Sequence, residues 1–235
     1  MHGGFPASLE HGQLIGGPCS PENRVDAAIA ACYNQCIKSG VEEIQVDNIR
    51  METKRLILRR FEEHDREAIY LLFSDKEVNT FLPWYPVKNM HETEDFFEKR
   101  LNGKRYCFAI CLKGDDYPIG YVHAEDDDSH DFGYALRKEY WHQGITSEAS
   151  NAVIELLKKE GIPYITATHD KNNPRSGAVM KRIGMKYCYS YKEQWQPKNF
   201  PVIFRMYQLN FDGQNNRVYQ KYWNRYDEHF IETGV

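Results

Sequence analysis

The chain has 235 residues, of which 41% are hydrophobic and 27% charged, with a formal net charge of −4. That suits a globular protein long enough to bury a core of its own. Without a Lys/Arg-rich run or about 18 consecutive apolar residues, neither a nucleic-acid duplex as main ligand nor a membrane-spanning helix is expected.

Residues 1–19, rich in Gly, Pro and His, read as a loop or tail. Ser20-Pro21 has the form of a helix start, and Val25, Ala28, Ile29, Cys32 and Cys36 follow at helical spacing until Gly40. Residues 1–50 are therefore expected to be an N-terminal extension with one helix. From Met51 the pattern changes. "TKRLILRRF" alternates apolar and charged residues, as a half-buried strand does. Asp65–Ser74 and His91–Leu101 read as helices flanking the proline-broken aromatic loop "FLPWYP". "RYCFAICLK", "PIGYVHAED" and "DFGYALR" read as strands. Ile145–Glu160 is an amphipathic helix with an inner stripe of Ile145, Ala149, Val153, Leu156 and Leu157. The strand "PYITATHD", a helix over Asn173–Ile183 and two aromatic-rich strands complete a domain over 51–211. Tyr219, Tyr222, Trp223, Tyr226 and Phe230 form a helical aromatic stripe in a C-terminal helical extension, 212–235. It would clamp on the body or, in a homodimer, on a second copy. The order of elements predicts an α+β fold with a mixed, mostly antiparallel central sheet of about six to seven strands flanked by helices.

Without a charged segment followed by an apolar stretch at its start, no secretory leader is expected. Cys19, Cys32, Cys36, Cys107, Cys111 and Cys188 show neither C-x-x-C nor zinc spacing, and read as free thiols in a reducing, cytoplasmic compartment with no metal.

The stretch "YWHQGITSEA" puts one glycine between an aromatic turn and the start of the long helix. The first helical turn has unpaired N–H groups and a partial positive charge, and glycine lets a ligand approach the backbone. The amides of Gln143, Gly144, Ile145 and Thr146, with the hydroxyls of Thr146 and Ser147, would make an anion cradle suited to phosphates. Neither a P-loop nor a dinucleotide fingerprint is present.

With this order of elements, "GYALRKEYWHQGITSEA" resembles the GNAT superfamily of acetyl-CoA-dependent N-acetyltransferases, in the branch of the ribosomal-protein N-terminal acetyltransferases. Tyr140-Trp141, Gly144, Ser147, Glu148 and Ala149 match the motif that opens the family's helix. Downstream, Asn173, Ser176, Gly184 and Met185 in "NNPRSGAVMKRIGMKY" fill its Asn-x-x-Ser helix, and "TKRLILR" is similar to its first strand. The resemblance covers about residues 51–211. It departs at Thr146, where the family has Gly or Ala, at Trp141, and at Met180, where many members carry a Tyr general acid.

The resemblance implies acetyl-CoA as co-substrate and acetyl transfer by direct attack of a primary amine, either a small molecule or a peptide N-terminus. It implies an oxyanion donor at the N–H of Leu136, and coenzyme contacts at Asn173 and Ser176, whose other role is helix capping. The base candidates are His123, which titrates in the right range, then Glu125 on the same strand face, with Asp126 and His169 behind them. Asp170 reads as a turn former. Trp84, Tyr85 and Tyr134 would wall the acceptor pocket. A non-catalytic acyl-CoA sensor or scaffold with the same fold is the alternative, and a plain phosphate-binding scaffold a third.

Overall fold

The computed structural model describes residues 49–235, so the expected helix after Pro21 and Cys19, Cys32 and Cys36 lie outside the described residues. A five-stranded antiparallel sheet holds β1 (Met51–Glu52), β2 (Leu56–Arg59), β3 (Tyr106–Leu112), β4 (Pro118–Ala124) and β5 (Phe132–Leu136) in sequence order. A four-stranded antiparallel sheet holds β6 (Tyr164–Asp170), β7 (Lys186–Trp195), β8 (Phe200–Asn210) and β9 (His229–Phe230) in the order β6-β8-β7-β9. The fold is α+β as expected, but the strands form two sheets rather than one. β5 and β6 run parallel and, among the described residues, meet at one bridge, Asp131 to Thr166.

Helix α1 (Arg66–Ser74) and helix α2 (Met90–Phe96), which runs into a π turn over Phe97–Leu101, cover one face of the first sheet. There Ile57, Cys107, Ala109, Cys111, Tyr121 and Ala135 pack against Ile69, Leu72, Phe73 and Phe97. Helix α3 (Ile145–Lys159) covers the other face, burying Ile145, Ala149, Val153, Ile154 and Leu157 against Leu56, Leu58, Phe108 and Val122. Ile154 joins that stripe, and the expected Leu156 packs against it partly buried. Helix α4 (Pro174–Arg182) follows β6.

Two covered faces explain a correction at β2. All four of its residues are buried, where the alternating pattern suggested a half-buried strand. Arg59 makes two bonds to Asp65, at 2.7 and 2.9 Å, and two to Asp116, to Oδ1 at 3.1 Å and to the backbone O at 2.8 Å. Removing one partner of such a buried pair costs about 3–5 kcal/mol, because the other charge stays buried without compensation. Cys107 and Cys111 are free and buried, and desolvation pushes both thiols up to about 12.

The C-terminal segment is not the expected helix. A short helix, α5, spans Lys221–Arg225, and the chain then extends into β9 on the edge of β7. An open strand edge leaves unpaired backbone groups, and β9 satisfies some of them; Lys192 N, for example, donates to Glu228 O at 2.8 Å. The aromatic residues still clamp the body. Tyr191 stacks on Tyr226 at 4.8 Å and on Tyr222 at 5.3 Å, and Trp223 meets the Tyr189 ring edge-on at 5.4 Å.

Candidate active site

A cavity of about 940 Å³ occupies the divergence of β5 and β6 and continues toward the segment 77–84, α4 and the β7–β8 hairpin. The ladder fixes what β5 presents to it. Arg137 N donates to Ile119 O at 2.9 Å and Glu125 N to Asp131 O at 3.0 Å, so the odd-numbered residues of β5 form the hydrogen-bonded pairs with β4. The N–H groups of Phe132, Tyr134 and Leu136 therefore point away from β4, toward the gap. At the strand end, Trp141 Nε1 donates to Leu136 O at 2.7 Å. Gly120 opposite Leu136 lets the strands close, since a Cβ there would lie 2.4 Å from Ala135 O. Leu136 is thus held with its carbonyl engaged and its amide facing the cleft.

The next wall is the turn into α3. Gly144 caps the helix at φ +73°, in the left-handed region that favours glycine. A Cβ there would meet only Arg55 Nη2, at 3.8 Å, so the backbone conformation rather than internal crowding requires the glycine. The first α-helical bond runs from Glu148 N to Gly144 O at 3.1 Å, and the amides of Ile145, Thr146 and Ser147 precede it. Glu148 braces the turn against the first sheet, accepting from Thr53 Oγ1 at 2.6 Å, Arg55 N at 3.0 Å and Arg55 Nε at 2.7 Å. These bonds hold its carboxyl below the usual range, outweighing the opposing desolvation. Arg55 also donates to Gln143 O at 2.9 Å. Gln143 itself does not line the cavity; its side chain turns back to Glu139 O. Gly144, Ile145, Thr146 and Ser147 do line it.

Across the gap, Asn173 and Ser176 line the cavity at the start of α4. Asn173 Oδ1 accepts from Ser176 N at 3.3 Å, the helix-capping role. Arg175 lies with its guanidinium 5.2 Å over the Trp141 ring, and Arg182 lines the same wall. Tyr134 belongs to this side. Its hydroxyl donates to Ser176 O at 2.9 Å, which places it on the α4 side and not in the wall with Trp84. Met180, one turn along α4 from Ser176, is buried and also lines the cavity.

The opposite face of β5 is different. His123 on β4 pairs with Gly133, where a Cβ would lie 2.3 Å from His123 Nε2, so the missing side chain makes room for the imidazole. The ring stacks on Tyr121 at 5.7 Å, and burial pushes its pKa down to about 4. His123 is therefore neutral, and a weak proton acceptor, at neutral pH. Glu125 lines the cavity, half-exposed, with Oε1 3.8 Å from His123 Nδ1. Two residues before Gly133, and so on the same face, Asp131 lines the cavity. Its Oδ1 is buried and has no hydrogen-bond partner among the described residues. Burial, reinforced by the charges of Glu125 and Asp127, pushes its pKa up to about 7.

The sequence did not single out Asp131. Its one signal was its place two residues before Gly133, and that signal needs the His123–Gly133 register. Of the other candidates, His169 is buried under Gly177 with Nδ1 bonded to Asp170 O, away from the cavity. Asp126 also lies outside it, 3.9 Å from Arg105. Asp170 shapes its turn, accepting from Asn172 N at 2.8 Å. Trp84 does wall the cavity, anchored by Nε1 donating to Asn79 Oδ1 at 3.1 Å. Tyr85 is 59% exposed and does not line it. Tyr191, Glu193, Trp195 and Phe204 of the second sheet complete this end. Among the described residues no helix is long and apolar enough to cross a membrane.

Comparison with known proteins follows the same lines. The family described as acetyltransferase (GNAT) domain matches residues 55–186. An uncharacterized N-acetyltransferase, YnaD, of Bacillus subtilis is 30% identical over 165 residues, covering 66% of this chain and 96% of the relative. A GNAT-family acetyltransferase from Bacillus anthracis superposes with a TM-score of 0.63 at 25% identity, over 70% of this chain and 99% of that one. The ribosomal L7/L12 α-N-protein acetyltransferase RimL, solved with coenzyme A, shares the fold, with a TM-score of 0.59 at 19% identity over 70% and 99% of the two chains. The chain belongs to the GNAT family and is an N-acetyltransferase.

Proposed function

We propose that the protein transfers the acetyl group of acetyl-CoA to a primary amine by direct attack, with Asp131 as general base. The coenzyme's diphosphate rests on the amides of Gly144, Ile145, Thr146 and Ser147, where the helix dipole favours negative charge. Arg175 and Arg182 add positive charge on the facing helix, and Asn173 and Ser176 flank the pantetheine. The thioester lies in the gap beside β5, and the N–H of Leu136 donates to the oxyanion as the amine nitrogen bonds to the carbonyl carbon. Asp131 takes the proton that the attacking nitrogen releases. The carbon–sulfur bond breaks, the departing thiolate gains one proton in exchange for the one that Asp131 accepts, and the products are the amide and the coenzyme thiol.

The observation that carries this reading is the buried, unpartnered Oδ1 of Asp131 on the cavity wall, beside an open strand edge that leads to the amides of α3. A base works best with a pKa near the operating pH, which favours Asp131 over the neutral His123. His123 is then a positioning residue that packs on Gly133 and shields the carboxylate. RimL was solved with coenzyme A, and at its level of identity that supports a shared fold rather than a shared acceptor. The test is thiol release from acetyl-CoA across a panel of amines, alongside calorimetric titration with CoA, inorganic phosphate and ATP. Turnover together with CoA binding tighter than that of the other two ligands is expected. CoA binding without turnover on any amine would overturn the reading.

A further inference from the structure

Resting on the acyl-transfer reading above, we propose that the acceptor is a small organic cation with a second positive charge besides its reacting amine, held in a roofed, anionic end of the cleft. The charges lining the cavity are segregated. Arg175 and Arg182 stand on α4, whereas Glu125, Asp131 and Glu193 stand on the β4, β5 and β7 side. Asp131 Oδ1 has no donor, and the charges that act on it most, Glu125 and Asp127, are both negative. A buried carboxylate oxygen without a partner is costly, and a cation entering the cavity supplies what it lacks. Among the described residues Arg100 is the one Lys or Arg lining this end, with its guanidinium 5.7 Å over the Trp84 ring, while Lys198 Nζ lies 5.0 Å over the Trp195 ring. Tyr121, Tyr191, Trp195 and Phe204 line the same end, and aromatic rings attract ammonium groups. Tyr191 is held by its stack on Tyr222 and Tyr226, and the Tyr226 hydroxyl reaches Glu193.

The second observation is a clasp over this end. Lys198, on the turn between β7 and β8, donates to Asn79 O at 2.7 Å and to Thr80 O at 2.9 Å. Tyr85 donates from its hydroxyl to Pro197 O at 3.2 Å. These bonds tie the segment that carries Trp84 to the hairpin that carries Trp195, and both tryptophans line the cavity. A polypeptide acceptor needs an open groove for the residues that follow its N-terminus, and the clasp joins the two segments that wall this end. Lys198 is thereby a specificity-determining residue.

The experiment measures kcat/KM for thiol release by the full chain with diaminobutane, butylamine, aminobutanoate and a tetrapeptide amide. The expected order is diaminobutane above butylamine by about 10- to 100-fold, the scale of a desolvated charge pair, then aminobutanoate, with the peptide lowest. Glu193→Gln should bring the diamine-to-butylamine ratio close to one, chiefly through KM, with CoA affinity as the check on folding. Lys198→Met should raise peptide turnover relative to the diamine. Equal rates for diamine and butylamine, or a preference for the peptide, would overturn this proposal and leave the acyl-transfer reading standing. Failure of every amine to give thiol release, despite CoA binding, would overturn both.

Discussion

At the end of the cleft assigned to the coenzyme, the groups that face the ligand are mostly amides, those of Leu136 and of the first turn of α3. At the acceptor end they are side chains from distant segments: Trp84, His123, Asp131, Tyr191, Glu193 and Trp195. Amides can be aimed only by a fixed backbone, so the first end depends on local features: a left-handed glycine, a cap, and a strand edge left open by register. The second end depends on which strands lie side by side. The first can be conserved in shape while the second is redrawn for another acceptor.

Four substitutions would break or sharpen that contrast, from the largest expected effect to the smallest. Asp131→Asn should lower kcat on the order of 10²- to 10³-fold, the usual worth of a general base, and leave CoA affinity within about twofold; a large change in affinity would mean that the two ends are not separable. Gly144→Val places a β-branched residue at φ +73° and a side chain over the amides. It should weaken CoA binding by about 10-fold or more, given a left-handed penalty of roughly 1–2 kcal/mol, as read by calorimetry on protein with a retained melting transition. Glu148→Ala removes three bonds that brace the α3 turn. Urea unfolding should show a loss of about 1–3 kcal/mol, with the order of preference among amines unchanged. His123→Ala should lower kcat/KM by no more than about 10-fold, well under the loss from removing a base; a loss as large as that of Asp131→Asn would restore His123 as the proton acceptor.

The same contrast explains what could be read from the sequence. Gly144, Ile145, Thr146, Ser147, Asn173 and Ser176 all line the cavity, because a helix start is written in consecutive residues. Even there Gln143 turned away, since its carbonyl is engaged by Arg55, a contact across 88 positions that no local pattern announces. Strand alternation sets Tyr134 on one face of β5 but does not say that its hydroxyl meets Ser176 O of α4. Asp131 escaped notice because its role comes from burial and from the register of two strands. Lys198 lies 118 and 119 positions from the carbonyls it holds. The C-terminal stripe misled for another reason. Tyr219, Tyr222, Trp223 and Tyr226 have helical spacing, but the free edge of β7 offers backbone pairing that a longer helix could not satisfy.

The most direct test is the pH dependence of kcat/KM between about pH 5 and pH 9, where the profile reports the free enzyme's base. The folded environment raises the Asp131 carboxyl from its ordinary value to about 7, so the proton-accepting form grows as pH rises through that point. His123, pushed down to about 4, is already neutral throughout the window. The account predicts an ascending limb with its midpoint near 7, below the acceptor amine's own ionisation, which is present in His123→Ala and absent in Asp131→Asn. A limb that persists in Asp131→Asn, or that vanishes in His123→Ala, would contradict it.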